Sequence, residues 1–474
     1  MKSKFAAFVV LFSAVFVLAS CLNTDDNYTY TDDSAITAFS VTKGKQYLHV
    51  KSSKGTDSIV TNDVTLSSYD FYIDQVNRVI YNPDSLPCGV DAKKLIVSVS
   101  SRNSGVVFIK SATSDSLSYL STSDSTDFSV DRELQVVSNS GAALRKYTVK
   151  VNVHKEFPDS FAWHAMPVCD ELRSLTGMRV VAAGDNMLLF GSNGTSTQVF
   201  AFRNGAWTAC STDFNHSLSA DSWRSVVVKD GKAFLCTDGT IMSTADGSSW
   251  TEHAKSTGIT RLVAASRFRI YGYATDGHLM SSSDNGVSWT DASIDDEASL
   301  LPNAETAYVS LEESSNKLTD RVLLFGTRDA AQYPSDTNLL IWGKIDEGAD
   351  NSQNQAWAYY YISETNKHAA PLLANISAMP YDDGVYLLGN EKGSTPAFYK
   401  TRDKGVTWNT DTTLLMPSTF NDNIVVNPAA ASYCYSVAVD KNNVLWLVNA
   451  RNGKTWCGRI NRLGWKKEQT DFTE

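Results

Sequence analysis

Apolar and polar residues alternate along short stretches in the first part of the chain, the pattern of half-buried β-strands. The clearest stretch is Tyr147–His154, and shorter ones begin at Ala35, Tyr69, Lys94 and Val106. Gly, Asn, Asp and Ser separate these stretches, as expected for turns. Several short strands in roughly 120 residues predict a β-sandwich of the immunoglobulin-like kind. We place this domain at residues 34–155.

The second part of the chain, residues 160–474, repeats a unit of two apolar strands joined by a Thr-Asp-Gly turn. One copy has this turn at Thr237–Gly239 and the next copy has it at Thr275–Gly277. Both copies end in a polar turn that carries Ser-Trp-Thr. Repeats of this length with several strands each are typical of a β-propeller, in which every repeat is one blade. The whole chain is therefore predicted to be all-β.

Three polar turns of the second part carry an aspartate, a glycine and a tryptophan at nearly constant spacing. They are Asp246, Gly247 and Trp250; Asp284, Gly286 and Trp289; and Asp403, Gly405 and Trp408. The last two match the form S/T-x-D-x-G-x-T/S-W and resemble the Asp-box, or BNR repeat, of sialidase-like propellers; the first is one residue shorter.

In such a turn we expect the aspartate to accept hydrogen bonds from main-chain amides. The glycine is expected at positive φ, and the tryptophan is expected to bury its ring between strands. The resemblance implies architecture and says little about chemistry, because the motif also occurs in non-catalytic propellers.

Tryptophans that close successive units give the predicted number of blades. They lie at intervals of about 40 to 70 residues, close to the length of one four-stranded blade, and are Trp207, Trp250, Trp289, Trp357, Trp408 and Trp465. These six units predict a six-bladed propeller. Seven blades stay open as an alternative because of Trp163, which either pairs with the last blade and closes the ring or braces the junction between the domains.

The first 20 residues combine two lysines with the apolar run Phe5–Leu18, which is too short for a membrane-spanning helix and is typical of a signal peptide. The run ends in Leu-Ala-Ser-Cys, and this sequence resembles the bacterial lipobox. The resemblance implies cleavage before Cys21, lipidation of its thiol and anchoring in the outer membrane. Residues 21–33 form a polar, acidic tether that resembles the surface-export signal of Bacteroidetes lipoproteins. A surface-exposed location is thereby implied.

Charge and side-chain spacing exclude several classes of function. The formal net charge of −10 disfavours a nucleic-acid partner, because the phosphate backbone is negative. The six cysteines other than Cys21 and the seven histidines show no metal-ligand spacing, so neither a metal nor another cofactor is predicted. The partners that remain are the membrane, through the lipid anchor, and a glycan or a surface protein.

Two hypotheses of function remain, a non-catalytic glycan- or protein-binding module and a diverged sialidase-like glycoside hydrolase. The resemblance to sialidases implies that the enzyme needs three arginines around a carboxylate, a Tyr–Glu nucleophile pair and an acid. Candidate arginines are Arg179, Arg224, Arg261 and Arg321, but the sequence does not show that they converge. Because no catalytic set of residues is evident, the sequence favours binding.

Overall fold

A computed structural model describes residues 30–51, 57–212, 217–348, 355–363, 365–422 and 433–465. Strands dominate these ranges, which also contain 3₁₀ segments at Arg102–Ser104, Asp170–Ser174, Ser222–Ser225, Ala298–Leu300 and Asn461–Gly464. None of the helical segments in the described ranges has the length and hydrophobicity that a membrane-spanning helix requires. The all-β prediction is confirmed. Cys21 and the lipobox before it lie outside the described residues.

The described residues divide into two compact units, 30–157 and 158–465. The strands of the first unit are β1 Ile36–Lys51, β2 Asp57–Thr65, β3 Tyr72–Asp74, β4 Val79–Tyr81, β5 Ile96–Ser101, β6 Val106–Lys110, β7 Leu117–Tyr119, β8 Arg132–Val137 and β9 Leu144–Lys150. They form one sheet in the order β2-β1-β5 and a second in the order β3-β4-β9-β8-β6-β7, in which β4 and β9 run parallel.

Both sheets of the first unit contribute to one hydrophobic core. Phe39 and Val41 of β1 pack there with Leu134 of β8 and Tyr147 of β9. Along β9 exposed and buried side chains alternate, because one face of the strand meets this core and the other meets solvent. The immunoglobulin-like character of the unit stays a prediction.

The strands of the second unit are β10 Trp163–Ala165, β11 Gly177–Ala183, β12 Asn186–Ser192, β13 Ser196–Arg203, β14 Ala206–Ala209, β15 Leu218–Ser219, β16 Val227–Lys229, β17 Lys232–Thr237, β18 Thr240–Thr244, β19 Trp250–Ala254, β20 Ile259–Ala265, β21 Ile270–Ala274, β22 Leu279–Ser282, β23 Thr290–Asp291, β24 Thr306–Glu312, β25 Thr319–Gly326, β26 Leu340–Glu347, β27 Ala358–Tyr359, β28 Ala374–Tyr381, β29 Gly384–Asn390, β30 Ala397–Thr401, β31 Asn409–Thr410, β32 Tyr435–Val439, β33 Leu445–Asn449 and β34 Lys454–Gly458.

Within the described ranges these strands form six four-stranded sheets, which we call sheets I–VI. Sheets I–V are β11–β14, β16–β19, β20–β23, β24–β27 and β28–β31, and β15 adds a short pairing to β13 of sheet I. The second strands, such as β12 and β29, are buried on both faces and therefore lack the alternation seen in the first unit.

The first strand of each sheet contacts the first strand of the next, and β32 of sheet VI contacts β11 of sheet I. The sheets therefore form a closed ring around a central axis. This arrangement is a β-propeller, and the propeller predicted from the repeats is confirmed.

Sheet VI combines strands from both ends of the unit, in the order β10-β34-β33-β32. Trp163 of β10 pairs with Gly458 of β34, so β10 supplies the outer strand. Of the two roles considered for Trp163, ring closure is the one observed. The assignment of Trp465 as the tryptophan of the last outer strand is wrong: it follows the 3₁₀ segment Asn461–Gly464 and lies outside the strands, because the outer position is already taken by β10.

A tryptophan at or just before the fourth strand of each sheet lies against the preceding sheet. The ring centroids are 6.3 Å apart for Trp250 and Phe190, 4.9 Å for Trp357 and Tyr271, 5.7 Å for Trp408 and Phe325, and 6.3 Å for Trp163 and Phe398. Trp207 donates a hydrogen bond from Nε1 to Thr455 Oγ1 at 2.9 Å, and Trp289 packs on the cluster that contains Ile241. The indole rings therefore fill the junctions between sheets.

A buried ion pair lies between sheets III and IV. Asp346 is a fully buried residue of β26. Its carboxylate is ion-paired with Arg269 and accepts hydrogen bonds from Ser266 Oγ at 2.5 Å and Tyr271 Oη at 2.9 Å. The Arg269 guanidinium is therefore occupied by the buried Asp346 carboxylate and has a structural role.

We expect Trp408→Ala to lower the free energy of unfolding by about 3–5 kcal/mol, since it leaves a cavity at a packed junction. Trp408 is only 3% exposed. The control is Trp289→Ala, where the ring is partly exposed and the loss should be smaller. Guanidinium unfolding followed by circular dichroism measures both. A smaller loss for Trp408 than for Trp289 would show that these rings do not hold the junctions.

Candidate functional site

The three aspartate-containing turns join the third and fourth strands of sheets II, III and V. In each turn the carboxylate of Asp246, Asp284 or Asp403 accepts hydrogen bonds from two main-chain amides at 2.7–3.1 Å. The tryptophan that follows donates from Nε1 to the carbonyl oxygen of the turn glycine at 3.0–3.1 Å. All three turns therefore share one hydrogen-bond pattern.

The turn glycines are required by conformation and by space. Gly247, Gly286 and Gly405 have φ values of 79°, 92° and 102°, which L side chains rarely adopt. A Cβ atom on Gly286 would also lie 2.6 Å from Cγ2 of Ile241 in sheet II. The turn of one sheet is thereby placed against the sheet before it, and its aspartate is occupied by its own turn.

A cavity of about 150 Å³ lies on the propeller axis, at the beginnings of the first strands. The first strands of sheets I, III, IV, V and VI contribute to its lining, and the 3₁₀ segment Ser222–Ser225, which precedes sheet II, contributes the rest of the ring. The lining residues are Thr176–Arg179, Trp223, Arg224, Arg261, Ala304–Thr306, Asn375, Ile376 and Cys434–Ser436. The aspartate turns lie at the opposite ends of the sheets, where the third strands end.

Three of the four candidate arginines, Arg179, Arg224 and Arg261, line this axial cavity. Arg179 donates to the carbonyl oxygens of Val226 at 2.9 Å and of Thr306 at 2.5 Å. Arg261 donates to the carbonyl oxygen of Ala304 at 2.9 Å. The guanidinium groups of Arg179 and Arg261 are thus held by neutral acceptors, and their positive charges are not neutralised by these contacts.

The arginines also affect one another electrostatically. Burial, and then the neighbouring charges of Arg261 and Arg224, lower the pKa of Arg179 to about 10. Burial and the charge of Arg224 likewise lower the pKa of Arg261. Arg179 and Arg261 still carry their charge at neutral pH. Clustering like charges is unfavourable for the folded state, and such clusters are more common at functional sites than elsewhere.

Arg321, the fourth candidate, lies apart from the axial cavity. Its Nε atom is 2.9 Å from Oε1 of Glu313, and Lys404 Nζ lies 2.7 Å from the same oxygen. Arg321 therefore belongs to a surface ion-pair network.

Glu305 and Tyr435 also line the axial cavity. Among the described lining residues Glu305 carries the only carboxylate, and one of its oxygens accepts a hydrogen bond from the amide of Ile376 at 3.2 Å. The hydroxyl of Tyr435 donates to Asn390 Oδ1 at 2.9 Å. Burial and then the charge of Glu305 raise the pKa of Tyr435, so this phenol stays protonated.

A wider cavity of about 1240 Å³ adjoins the axial one and shares Arg224, Arg261 and Ala304 with it. It lies between sheets II, III and IV. Asp238 and Asp276, from the Thr-Asp-Gly turns of two neighbouring sheets, lie on its lining together with Tyr273 and Asn303.

The Thr-Asp-Gly turns that line the wide cavity are evident in the sequence as repeated turns, but the sequence assigns them no function. Asp238 and Asp276 occupy the same position in successive repeats. Because equivalent turns of neighbouring blades lie on the same face, this repetition indicates that the two carboxylates are close. The positions of Tyr273 and Glu305 on the cavity linings have no comparable signal in the sequence.

Family models match most of the chain. The DUF6242 beta propeller domain matches residues 157–468, and the DUF6242 N-terminal domain, described as a domain of unknown function, matches residues 39–151. No curated protein matches the chain.

Similar solved structures share little sequence with the chain. A structural genomics protein of unknown function from Bacteroides thetaiotaomicron has 13% identity and a TM-score of 0.39, over 77% of this chain and 94% of that protein. YCF48 from Cyanidioschyzon merolae has 15% identity and a TM-score of 0.31, over 65% of this chain and 90% of that protein. A fucose-specific lectin from Aleuria aurantia has 13% identity and a TM-score of 0.29, over 59% of this chain and 90% of that protein. Similarity at this level supports no conclusion about a ligand.

We expect Asp284→Asn to lower the free energy of unfolding at neutral pH by about 1 kcal/mol, because turn amides lose a charged acceptor. Partial burial acts to raise the pKa of Asp284, but hydrogen bonds from Ser288, Ser282 and Val287 outweigh it and hold the pKa at about 2. In the unfolded chain the pKa is about 4. The stabilisation is therefore complete above pH 4 and is lost as pH falls from about 4 to 2.

Asp284→Asn should accordingly flatten the decline of stability between pH 4 and pH 2, measured by denaturant unfolding at several pH values. The control is Asp291→Asn, which changes an exposed carboxyl on the fourth strand of the same sheet. An equal flattening in both variants would mean that the turn does not lower the pKa of Asp284.

Proposed function

The chain belongs to the DUF6242 family, and on that premise we propose that it is a non-catalytic binding module for a glycan or protein ligand. The binding site in this proposal is the axial cavity of the propeller. We further propose that the chain is a Bacteroidetes-type lipoprotein, anchored in the outer membrane through Cys21 and exposed at the cell surface. The three aspartate turns then have the architectural role of Asp-boxes.

The observation that carries the proposal is the group of guanidinium ions at the axial cavity. Arg179 and Arg261 use main-chain carbonyl oxygens as acceptors and so retain a net positive charge. An anionic group of a ligand would reduce the repulsion among these charges, and a guanidinium–carboxylate contact is stronger than a neutral hydrogen bond. We therefore expect the ligand to carry a carboxylate or another anionic group.

A diverged sialidase-like hydrolase is the second candidate, and the convergence of the three arginines favours it. The surroundings of Tyr435 and Glu305 argue for binding instead. A tyrosine nucleophile needs a lowered pKa, whereas burial raises that of Tyr435 and its hydroxyl donates to Asn390. The described lining residues of the axial cavity also include no aspartate that would act as the acid.

The first unit has a spacer role in this proposal. Lipidation at Cys21, the tether of residues 21–33 and an immunoglobulin-like domain would carry the propeller away from the membrane surface. A single acyl chain gives only marginal membrane binding, whereas several chains on one residue give stable anchoring.

We expect Arg261→Gln to weaken binding of an acidic ligand at least about tenfold, the effect of losing one charge-assisted hydrogen bond. The unlipidated chain from residue 22 onwards is applied to arrays of acidic oligosaccharides, neutral oligosaccharides and acidic peptides. The acidic compound that binds most strongly is then titrated with the unsubstituted protein and with the Arg261→Gln variant. Arg321→Gln is the control, since Arg321 is bonded to Glu313 outside the axial cavity and its loss should leave affinity unchanged.

Two results would contradict the proposal. One is the absence of binding to every acidic compound on the arrays. The other is release of sugar from sialosides or polysaccharides that stops when Tyr435 is replaced by Phe, since this establishes hydrolysis.

We expect Cys21→Ser to move the protein from the membrane fraction to the soluble fraction, because the acceptor of the lipid is lost. Fractionation of cells that express either form, with immunoblotting, measures the change. Cys169→Ser, a substitution within the propeller, is the control. A Cys21→Ser protein that stays in the membrane pellet shows that the anchor lies elsewhere.

A further inference from the structure

We propose that the axial cavity recognises the free N-terminal residue of a peptide that begins with aspartate or glutamate. The side-chain carboxylate of that residue lies at Arg179 and Arg261, and its α-ammonium group is bound by Glu305. This inference rests on the proposed binding function and specifies its ligand as a peptide with a free, acidic N-terminus. Glu305 is then the residue that selects ligands with an amine.

Glu305 supplies the first observation, because part of its carboxylate is unused. The residue lines the axial cavity and is partly exposed. One oxygen, Oε2, accepts a hydrogen bond from the amide of Ile376 at 3.2 Å. The other oxygen has no partner among the described residues and is not one of their fully buried polar atoms. Glu305 therefore has an accessible acceptor at the lining, and a charged amine is a strong donor for a carboxylate.

The position of Glu305 beside the arginines is the second observation. The residues on either side of it, Ala304 and Thr306, accept hydrogen bonds at their carbonyl oxygens. Ala304 accepts from Arg261 at 2.9 Å, and Thr306 accepts from Arg179 at 2.5 Å. All three charged side chains thus bond to main-chain groups rather than to one another. Opposite charges lie near each other without an ion pair, so a compact ligand that carries both charges can contact both.

A ligand with an anionic group alone would fit this arrangement less well. Its anion would be attracted by the arginines and repelled by Glu305, which carries the only carboxylate among the described lining residues. An ammonium group next to the anion replaces this repulsion with an attraction. The lining therefore favours a ligand with both charges a short distance apart.

The size of the axial cavity favours a peptide terminus over an oligosaccharide. Its volume of about 150 Å³ is below the ~300–1,000 Å³ of typical small-molecule pockets, so it holds one unit of a larger ligand. An acidic residue at a peptide N-terminus carries its amine and its side-chain carboxylate only a few bonds apart. An oligosaccharide usually carries such charges on different rings. Capture of a free terminus is also a recurring mode of peptide recognition.

The rest of the peptide has room in the wide cavity of about 1240 Å³. The two cavities share Arg224, Arg261 and Ala304, so they adjoin. A chain that starts in the axial cavity can therefore continue into the wide one.

The test uses three synthetic peptides that have identical, uncharged remaining residues and amidated C-termini. The first begins with aspartate and a free amine, the second with N-acetylated aspartate, and the third with alanine and a free amine. Each is titrated calorimetrically into the unlipidated chain from residue 22 onwards. We expect the first peptide to bind at least about tenfold more tightly than either of the others, because each of those lacks one charge-assisted contact.

Glu305→Gln should abolish the preference for the free amine. We expect this variant to bind the two aspartate peptides equally. It should bind the acetylated one at least as tightly as the unsubstituted protein does, because a repelling charge is removed. Glu312→Gln is the matched control and should keep the preference. Glu305 directly precedes β24, whereas Glu312 is an exposed glutamate at the other end of this strand.

The outcomes separate this inference from the proposed function. Equal binding of the free and acetylated aspartate peptides by the unsubstituted protein overturns the amine contact, and the axial site stands if Arg261→Gln weakens both. A loss by the same factor for both peptides in Glu305→Gln shows a structural role for Glu305 and also overturns the inference. Binding confined to acidic oligosaccharides overturns the peptide ligand and leaves the proposed function standing. Binding to no acidic compound, on the arrays or among the peptides, overturns both.

Discussion

Pairing of β10 with β34 is the interaction on which the propeller depends. It joins Trp163, at the start of the second unit, to Gly458, near its end, and so completes sheet VI. A side chain at Gly458 is excluded, because a Cβ atom would lie 2.5 Å from the ring of Phe161 and 2.7 Å from the carbonyl oxygen of Ala162. Without β10, sheet VI would have three strands and an open edge, and β34 would expose unpaired main-chain groups.

The closed ring also explains how the axial cavity arises. Each first strand begins near the axis, so side chains at these positions meet even when they are far apart in sequence. Arg179 from sheet I and Arg261 from sheet III are brought together in this way. Main-chain carbonyl oxygens of Val226, Thr306 and Ala304 hold the two guanidinium groups in place. The fold therefore supports a charge cluster that is unfavourable in itself, and the opposite ends of the sheets carry the turns that stabilise the blades.

Local features of this chain could be predicted from sequence, and features that join distant segments could not. The turn at Asp284 involves only neighbouring residues, so its motif contains its whole hydrogen-bond pattern. Trp465 was assigned wrongly because the outer strand of sheet VI comes from the other end of the unit. The arginines could be named as candidates, but their convergence depends on the ring. The accessible oxygen of Glu305 is a property of packing, which repeat patterns do not encode.

Ring closure has a consequence for the order in which the propeller folds. Among the described strands of the second unit, β10 comes first in the chain and its partner β34 comes last. Sheets I–V consist of consecutive strands and close short loops when they pair, whereas β10 must pair with a strand at the other end of the unit. Contacts of such long sequence separation form late, since closing a long loop has a high entropic cost. Until β10 and β34 pair, the propeller is therefore an open arc, and this one pairing converts it into a ring.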